Sequence, residues 1–106
     1  MHTTHDRLTR LRELMFAALD ELNEQRPVTE RLPKALDTEL TGDRGALDSL
    51  GFVNLVVALE GRIETEFGVS ISLLDDERLD PTAPQFRTVG AFVEFLSETL
   101  ARSLHD

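Results

Sequence analysis

The chain contains no cysteine, tryptophan or tyrosine. Without cysteine it has no disulfide, thiolate metal site or cysteine nucleophile, so any thiol chemistry must be brought by another molecule. Basic residues are also few, because 11 Lys and Arg stand against 20 Asp and Glu and give a formal net charge of −9. This charge opposes binding to nucleic-acid phosphates and to anionic lipid, and it favours basic protein partners.

Long apolar runs are lacking as well. No stretch approaches the ~20 apolar residues of a membrane span, and the first seven residues, Met-His-Thr-Thr-His-Asp-Arg, lack the apolar stretch of a signal peptide. We therefore expect a cytoplasmic protein. The chain has 106 residues, of which 41% are hydrophobic and 29% charged, and this predicts one folded domain over residues 1–106 with disorder at residues 1–5.

Three segments have apolar residues at steps of three and four, which is the pattern of amphipathic helices. The first segment runs from Arg7 to about Glu24, where Thr4 or Asp6 can cap its start and Pro27 ends it. These spacings predict one long helix near the start of the chain.

The second helical segment begins with an Asp48 or Ser49 cap and ends at Gly68. Residues 69–71 then form a short extended return that places Ile71 in the core. The last helical segment follows Thr88, which can cap it.

The segments between these helices are rich in proline and glycine. The composition of residues 26–47 predicts a long ordered loop, whose leucines dock it on the helices. A short helix is expected near residues 73–79, and no segment shows the alternation of a strand. The sequence thus predicts an all-α fold, a four-helix bundle with a long first loop and a short third helix.

The second long helix has more apolar surface than a bundle needs. On a helical wheel of about 100° per residue, its core face consists of Phe52, Leu55, Val56, Leu59 and Ile63. Ser49, Val53 and Val57 follow one another at i+4 on the neighbouring side, together with Glu60 and Glu64. The two valines either pack against the long loop or contact a partner, and the pattern is consistent with both.

Three features follow one another along the chain. The first is the run Gly45-Ala-Leu-Asp48-Ser49-Leu50, the second is an apolar helix ending in Glu-Phe67-Gly-Val-Ser-Ile71, and the third is a capped helix at Thr88-Val89. This order resembles that of acyl and peptidyl carrier proteins over about residues 40–100, and the resemblance is weaker over the first helix. It implies that Ser49 receives the 4′-phosphopantetheine arm of coenzyme A from a separate phosphopantetheinyl transferase that uses magnesium.

The resemblance also implies roles for the neighbouring residues. Asp48 would help the transferase to hold its metal, while Leu50, Val53 and Val57 match positions that partner enzymes touch. Those partners would be a loading ligase, a synthase or an acyltransferase for acyl or aminoacyl groups, which the arm carries as thioesters. The protein would then be a free-standing acyl carrier and not an enzyme.

The residue types themselves are consistent with these implied roles. A serine at the start of a helix lies near the positive end of the helix dipole, which tolerates a phosphodiester. No histidine lies nearby in sequence to act as a base, which suits an acceptor activated by another enzyme better than a hydrolase nucleophile. Gly51 and Asn54, however, stand where many fatty-acid carriers have acids, so the cargo stays open among fatty, polyketide, aminoacyl and other acyl groups.

Several details of such a carrier stay open on the sequence alone. The acyl chain would either lie on the helix near Val53 and Val57 or enter the bundle between Phe52 and Val93. The acidic residues of the second long helix and of the segment after it either steer basic partner surfaces or form a solvated acidic surface. These residues are Glu60, Glu64, Glu66 and the acids of residues 75–77. A monomer is expected.

A cofactor-free acidic interaction module, whose Val53 and Val57 face binds a partner, is the alternative function. A small hydrolase is less well supported, because the acids have the spacing of a solvated helix surface.

Metal and phosphate sites are not indicated by the sequence. His2, His5 and His105 lie close to the ends of the chain and do not form a zinc constellation. The acids of residues 75–80 lack the spacing of a calcium loop. Gly42 and Gly45 are without the strand and the Gly-Lys-Ser/Thr ending of a phosphate-binding loop.

Overall fold

The protein is described by a computed structural model that covers residues 4–42, 45–71 and 83–104. Within these ranges the chain forms three α-helices, which we number α1 (Thr4–Asn23), α2 (Ser49–Phe67) and α3 (Val89–Leu104). Helix α1 packs against both α2 and α3. The described part of the chain contains two short 3-10 turns and no strand, so the all-helical prediction is confirmed there. The short helix expected near residues 73–79 lies outside the described residues.

The start of α1 differs from the prediction, whereas the bounds of the other two helices agree with it. Helix α1 begins at Thr4, three residues before the expected Arg7, and residues 1–3 lie outside the described residues. Asp6 is therefore inside the first turn, where its carboxylate faces the positive end of the helix dipole. The capping position predicted for Thr4 or Asp6 is wrong, because both residues belong to the helix itself.

The core lies where the three helices meet. All five residues predicted for the core face of α2 are buried, and Ile71 and the apolar side of α3 join them. At the centre, the Phe86 ring lies with its centroid 5.1 Å from those of both Phe52 and Phe92 in edge-to-face contacts. These rings tie the turn before α3 to both α2 and α3.

The loop from residue 26 to residue 47 docks through only part of its apolar residues. Leu32 and Leu40 are buried, at 4% and 0% exposure. Leu36 is 43% exposed, so the expectation that all the loop leucines dock is wrong for this residue. At Leu36 the loop is attached through its backbone instead, because the Leu36 carbonyl accepts a hydrogen bond from the Gly90 amide at 2.9 Å.

Backbone hydrogen bonds attach the second half of this loop to the start of α3. The Leu40 amide donates to the Arg87 carbonyl at 2.6 Å, and the Val89 amide donates to the Thr38 carbonyl at 3.1 Å. The Leu47 amide then donates to the Leu40 carbonyl at 3.0 Å. The loop therefore delivers the chain to the start of α2 in a fixed position.

The first half of the loop is held by one asparagine at the end of α1. The Asn23 side chain donates to the Leu32 carbonyl at 2.9 Å and accepts from the Leu32 amide at 2.8 Å. Both bonds are partly buried, so removing the Asn23 side chain leaves the amide and the carbonyl of Leu32 without these partners in a partly buried position.

We expect Asn23→Ala to lower the free energy of unfolding by about 1–3 kcal/mol, because it leaves both backbone groups of Leu32 unpaired. Asn54→Ala, the same substitution at an exposed position of α2, should change it by less than about 0.5 kcal/mol. Urea unfolding followed by circular dichroism measures both. Equal effects of the two variants would show that the loop is not held by Asn23.

Candidate functional site

Ser49 is the first residue of α2, and Asp48 is its N-cap. The Asp48 carboxylate accepts a hydrogen bond from the Gly51 amide at 2.8 Å, while the Asp48 carbonyl accepts from the Phe52 amide at 2.9 Å. The sequence left the cap open between Asp48 and Ser49. The structure assigns it to Asp48, and the Ser49 hydroxyl is not needed for capping.

The Ser49 side chain is exposed at the end of the helix. Within the described ranges, its hydroxyl makes no hydrogen bond. The amides of Ser49 and Leu50 belong to the first turn and have no acceptor within the helix. An anion attached at the Ser49 oxygen would thus lie beside free amides and the positive end of the dipole.

Gly51 packs closely against the cap of α2. The residue is buried, and a Cβ at this position would lie 3.2 Å from both the Asp48 Oδ1 and the Leu47 Cδ2. A larger side chain would therefore press on the carboxylate that caps the helix.

The apolar residues next to Ser49 are exposed to solvent. Leu50 is 69% exposed, Val53 37% and Val57 52%. None of the three side chains is buried, and a partner contact of the two valines stays a prediction. These three residues form an exposed apolar surface on α2, called the α2 stripe below.

The acids of α2 differ in their surroundings. Glu64 is exposed and Glu60 is partly buried, while Glu66 forms an ion pair with Arg10 of α1. Glu64 is thus presented to solvent on the same helix as the α2 stripe. The acids of residues 75–77 lie outside the described residues.

A groove between α1 and α2 was not predicted from the sequence. One section, of about 260 Å³, lies between Ala18 and Ala58, and a second, of about 410 Å³, lies beside Gly61. Its only signal in the sequence is the small size of these three residues. The small size of these residues predicts a groove only once it is known that α1 and α2 pack against each other.

The metal and phosphate sites weighed from the sequence gain no support among the described residues. No group of three His, Asp or Glu side chains there could hold a metal ion. His2 and His105 lie outside the described residues, as does the side chain of His5. The Gly45 amide donates to the Gly42 carbonyl at 3.1 Å, and the chain reaches the Asp48 cap of α2 three residues later.

The two residues at the start of α2 should differ in their effect on stability. Asp48→Ala removes the cap and should lower the free energy of unfolding by about 0.5–2 kcal/mol. Ser49→Ala should lower it by less than about 0.5 kcal/mol, because the exposed hydroxyl has no partner to lose among the described residues. Asp48→Asn is the matched control, since asparagine also caps helices. Thermal unfolding measures all three, and a larger loss for Ser49→Ala than for Asp48→Ala would contradict the assignment of the cap.

The site thus consists of an exposed alcohol at the positive end of a helix, an aspartate beside it and an apolar stripe behind it. No helix in the described part of the chain is both long and apolar enough to cross a membrane. The chain matches no protein-family model, no curated protein and no solved structure.

Proposed function

We propose that this protein is a free-standing acyl carrier protein that carries its cargo on a 4′-phosphopantetheine arm at Ser49. The observation that supports this most is the exposed Ser49 hydroxyl, which the Asp48 cap leaves unused at the positive end of α2. The residues present suit the group. An exposed alcohol with no histidine near it in the sequence suits an acceptor that another enzyme activates, and the amides of the first turn tolerate a phosphodiester.

Attachment is a phosphoryl transfer to the serine. The Ser49 oxygen attacks the phosphorus on the pantetheine side of the coenzyme A pyrophosphate, and the hydroxyl proton passes to a base of the transferase. A phosphodiester bond forms, and the bond to the leaving adenosine 3′,5′-bisphosphate breaks. The chain supplies the acceptor and its position, and a phosphopantetheinyl transferase with magnesium supplies the catalysis.

Asp48 has two carboxylate oxygens and two roles in this proposal. One oxygen accepts the Gly51 amide and holds the start of the helix. The side chain is exposed, so the other oxygen can contact the magnesium ion of the transferase. When bound, the arm supplies a terminal thiol that carries acyl or aminoacyl groups as thioesters, and the absence of cysteine means that no side chain of the protein can take them by thiol exchange.

The partner surface of the carrier consists of the α2 stripe together with Glu60 and Glu64. Its partners are a loading ligase, a synthase or an acyltransferase with a basic face, which the net charge of −9 attracts over a distance. The protein would act as a cytoplasmic monomer. Its fold would be the four-helix bundle of the carrier type, with the short third helix near residues 73–79.

The exposure of Val57 also suits the alternative, a cofactor-free acidic interaction module. A bundle that only needed to fold has no use for a valine that is 52% exposed beside two further exposed apolar residues. In that case Ser49→Ala would have no effect on partner binding, while Val57→Glu would abolish it.

Attachment is tested by incubating the protein with coenzyme A, magnesium and a broad-specificity phosphopantetheinyl transferase. We expect the intact mass to increase by one 4′-phosphopantetheine group, and we expect Ser49→Ala to lose this increase completely. Ser103→Ala, which removes an exposed hydroxyl of α3, is the control and should still be modified. An unchanged mass, under conditions that modify a known carrier protein, would contradict the proposal.

A further inference from the structure

One peptide unit just before the cap of α2 is held from both sides. This unit, called the 46–47 peptide below, consists of the Ala46 carbonyl and the Leu47 amide. The amide donates to the Leu40 carbonyl at 3.0 Å, and the carbonyl accepts from the Arg26 Nη2 at 3.3 Å. Because a peptide unit is planar, the two bonds together fix the direction of its plane.

The two partners of the 46–47 peptide belong to different parts of the fold. Leu40 is attached to the segment before α3, where its amide donates to the Arg87 carbonyl. Arg26 follows the end of α1, and its amide donates to the Asn23 carbonyl at 3.0 Å. The chain entering α2 is therefore tied to the start of α3 on one side and to the end of α1 on the other.

The Arg26 side chain is itself held in place. Its Nε donates at 2.9 Å to the carbonyl of Glu30, the last residue of a 3-10 turn, and the Arg26 carbonyl accepts from the Arg31 Nε at 3.3 Å. A guanidinium presents its N–H groups in a rigid planar fork. The bond to Glu30 thus also orients the Nη2 that reaches Ala46.

Arg26 acts as a hydrogen-bond donor and not as one half of an ion pair. The chain has 20 Asp and Glu, yet among the residues that the structure describes the ion pairs are made by Arg10, Lys34 and Arg62. Arg26 is partly buried, and both of its side-chain bonds go to backbone carbonyls. Its effect on the site therefore comes from where it holds the backbone.

The 46–47 peptide lies close enough to Ser49 to affect it. Only Asp48 separates Leu47 from the serine. Asp48 has an extended backbone, with φ of −82° and ψ of −176°, and in this conformation its carboxylate accepts from the Gly51 amide. A rotation of the 46–47 peptide would move Asp48 out of the cap and let the first turn of α2 fray, and Ser49 belongs to that turn.

We propose that Arg26 is a positioning residue for the modification of Ser49 and acts through the 46–47 peptide and the Asp48 cap. This inference rests on the proposed carrier function and adds to it a residue of α1's end on which the transferase depends. Without Arg26, the first turn of α2 would be ordered for only part of the time. The transferase would then bind more weakly, because apparent affinity falls with the fraction of the protein in the competent state.

The loss of this bond should affect the modification more than the stability. Ala46 is exposed, so water can replace the Arg26 donor at its carbonyl. Once the transferase has bound the ordered turn, the serine is presented as in the unchanged protein. The KM for the protein should therefore rise while kcat stays the same.

Hydrogen exchange tests the hold on the peptide without any transferase. In Arg26→Ala we expect the Leu47 amide to exchange about tenfold faster, because only one of the two bonds of its peptide is left. The amide of Leu59, which lies in the middle of α2 and is buried, should change by less than about twofold, because its exchange follows the stability of the whole domain.

Initial rates of modification then test the role of Arg26 in the reaction. With coenzyme A, magnesium and a broad-specificity phosphopantetheinyl transferase, we expect Arg26→Ala to raise the KM for the protein about fivefold and to leave kcat unchanged. Arg26→Lys should behave in the same way, because an ammonium keeps the charge but lacks the planar fork. Arg87→Ala is the matched control. It removes the same charge from an exposed side chain beside Gly42 of the same loop and should leave KM unchanged.

The outcomes separate this proposal from the carrier function itself. If the unchanged protein is not modified, the carrier function fails and the role of Arg26 in it fails too. If the protein is modified and Arg26→Ala keeps its KM, the carrier function stands and the role of Arg26 is overturned. The role is also overturned if Arg26→Lys has the KM of the unchanged protein, if Arg87→Ala raises KM as much, or if the Leu47 and Leu59 amides exchange faster by the same factor.

Discussion

The hydrogen bond from the Gly51 amide to the Asp48 carboxylate, 2.8 Å long, determines where α2 begins. Because Asp48 fills the cap, the next residue is the first of the helix, and its hydroxyl is left to solvent. The position of this cap depends in turn on the loop, since the Leu40 amide is bonded to the Arg87 carbonyl and Leu47 to Leu40. The contacts that hold the loop on α3 therefore also position Ser49.

Local chemistry explains which parts of this arrangement could be predicted from the sequence. The core face of α2 follows from a periodicity within a single helix, and the αL conformation of Gly68, with φ of 68°, follows from the preference of glycine for helix ends. The Thr88 hydroxyl accepts from the Ala91 amide at 3.1 Å, again a contact between near neighbours. The start of α1 was less predictable, because no proline or glycine marks it.

Features that depend on two separate parts of the chain could not be predicted in this way. The exposure of Val53 and Val57 depends on the path of a loop that ends before α2, and the wheel of one helix says nothing about that path. The groove depends on which residues of α1 and α2 face each other, and Ala18 of α1 lines one of its sections together with Ala58 of α2. Leu36 is a further example of a feature that the sequence does not predict. An apolar side chain in a loop is buried only if the hydrogen bonds of the neighbouring backbone place it against the core.

The two faces of helix α2 thus differ in burial. One face supplies six buried residues to the interior, and the other keeps the serine, the α2 stripe and Glu64 exposed. Exposed apolar residues add little to the stability of a domain, so folding alone does not account for their clustering beside Ser49. In the proposed carrier, the α2 stripe is the surface that partner enzymes contact.

The central claim is that Ser49, and no other hydroxyl of the chain, accepts the arm. The most direct measurement is tandem mass spectrometry of peptides from protein that was produced in cells together with a phosphopantetheinyl transferase. We expect the peptide containing Asp48 and Ser49 to carry the phosphopantetheine group, with fragment ions that place it on Ser49. A group found on another residue, or an unmodified Ser49 peptide beside a fully modified carrier control, would contradict the claim.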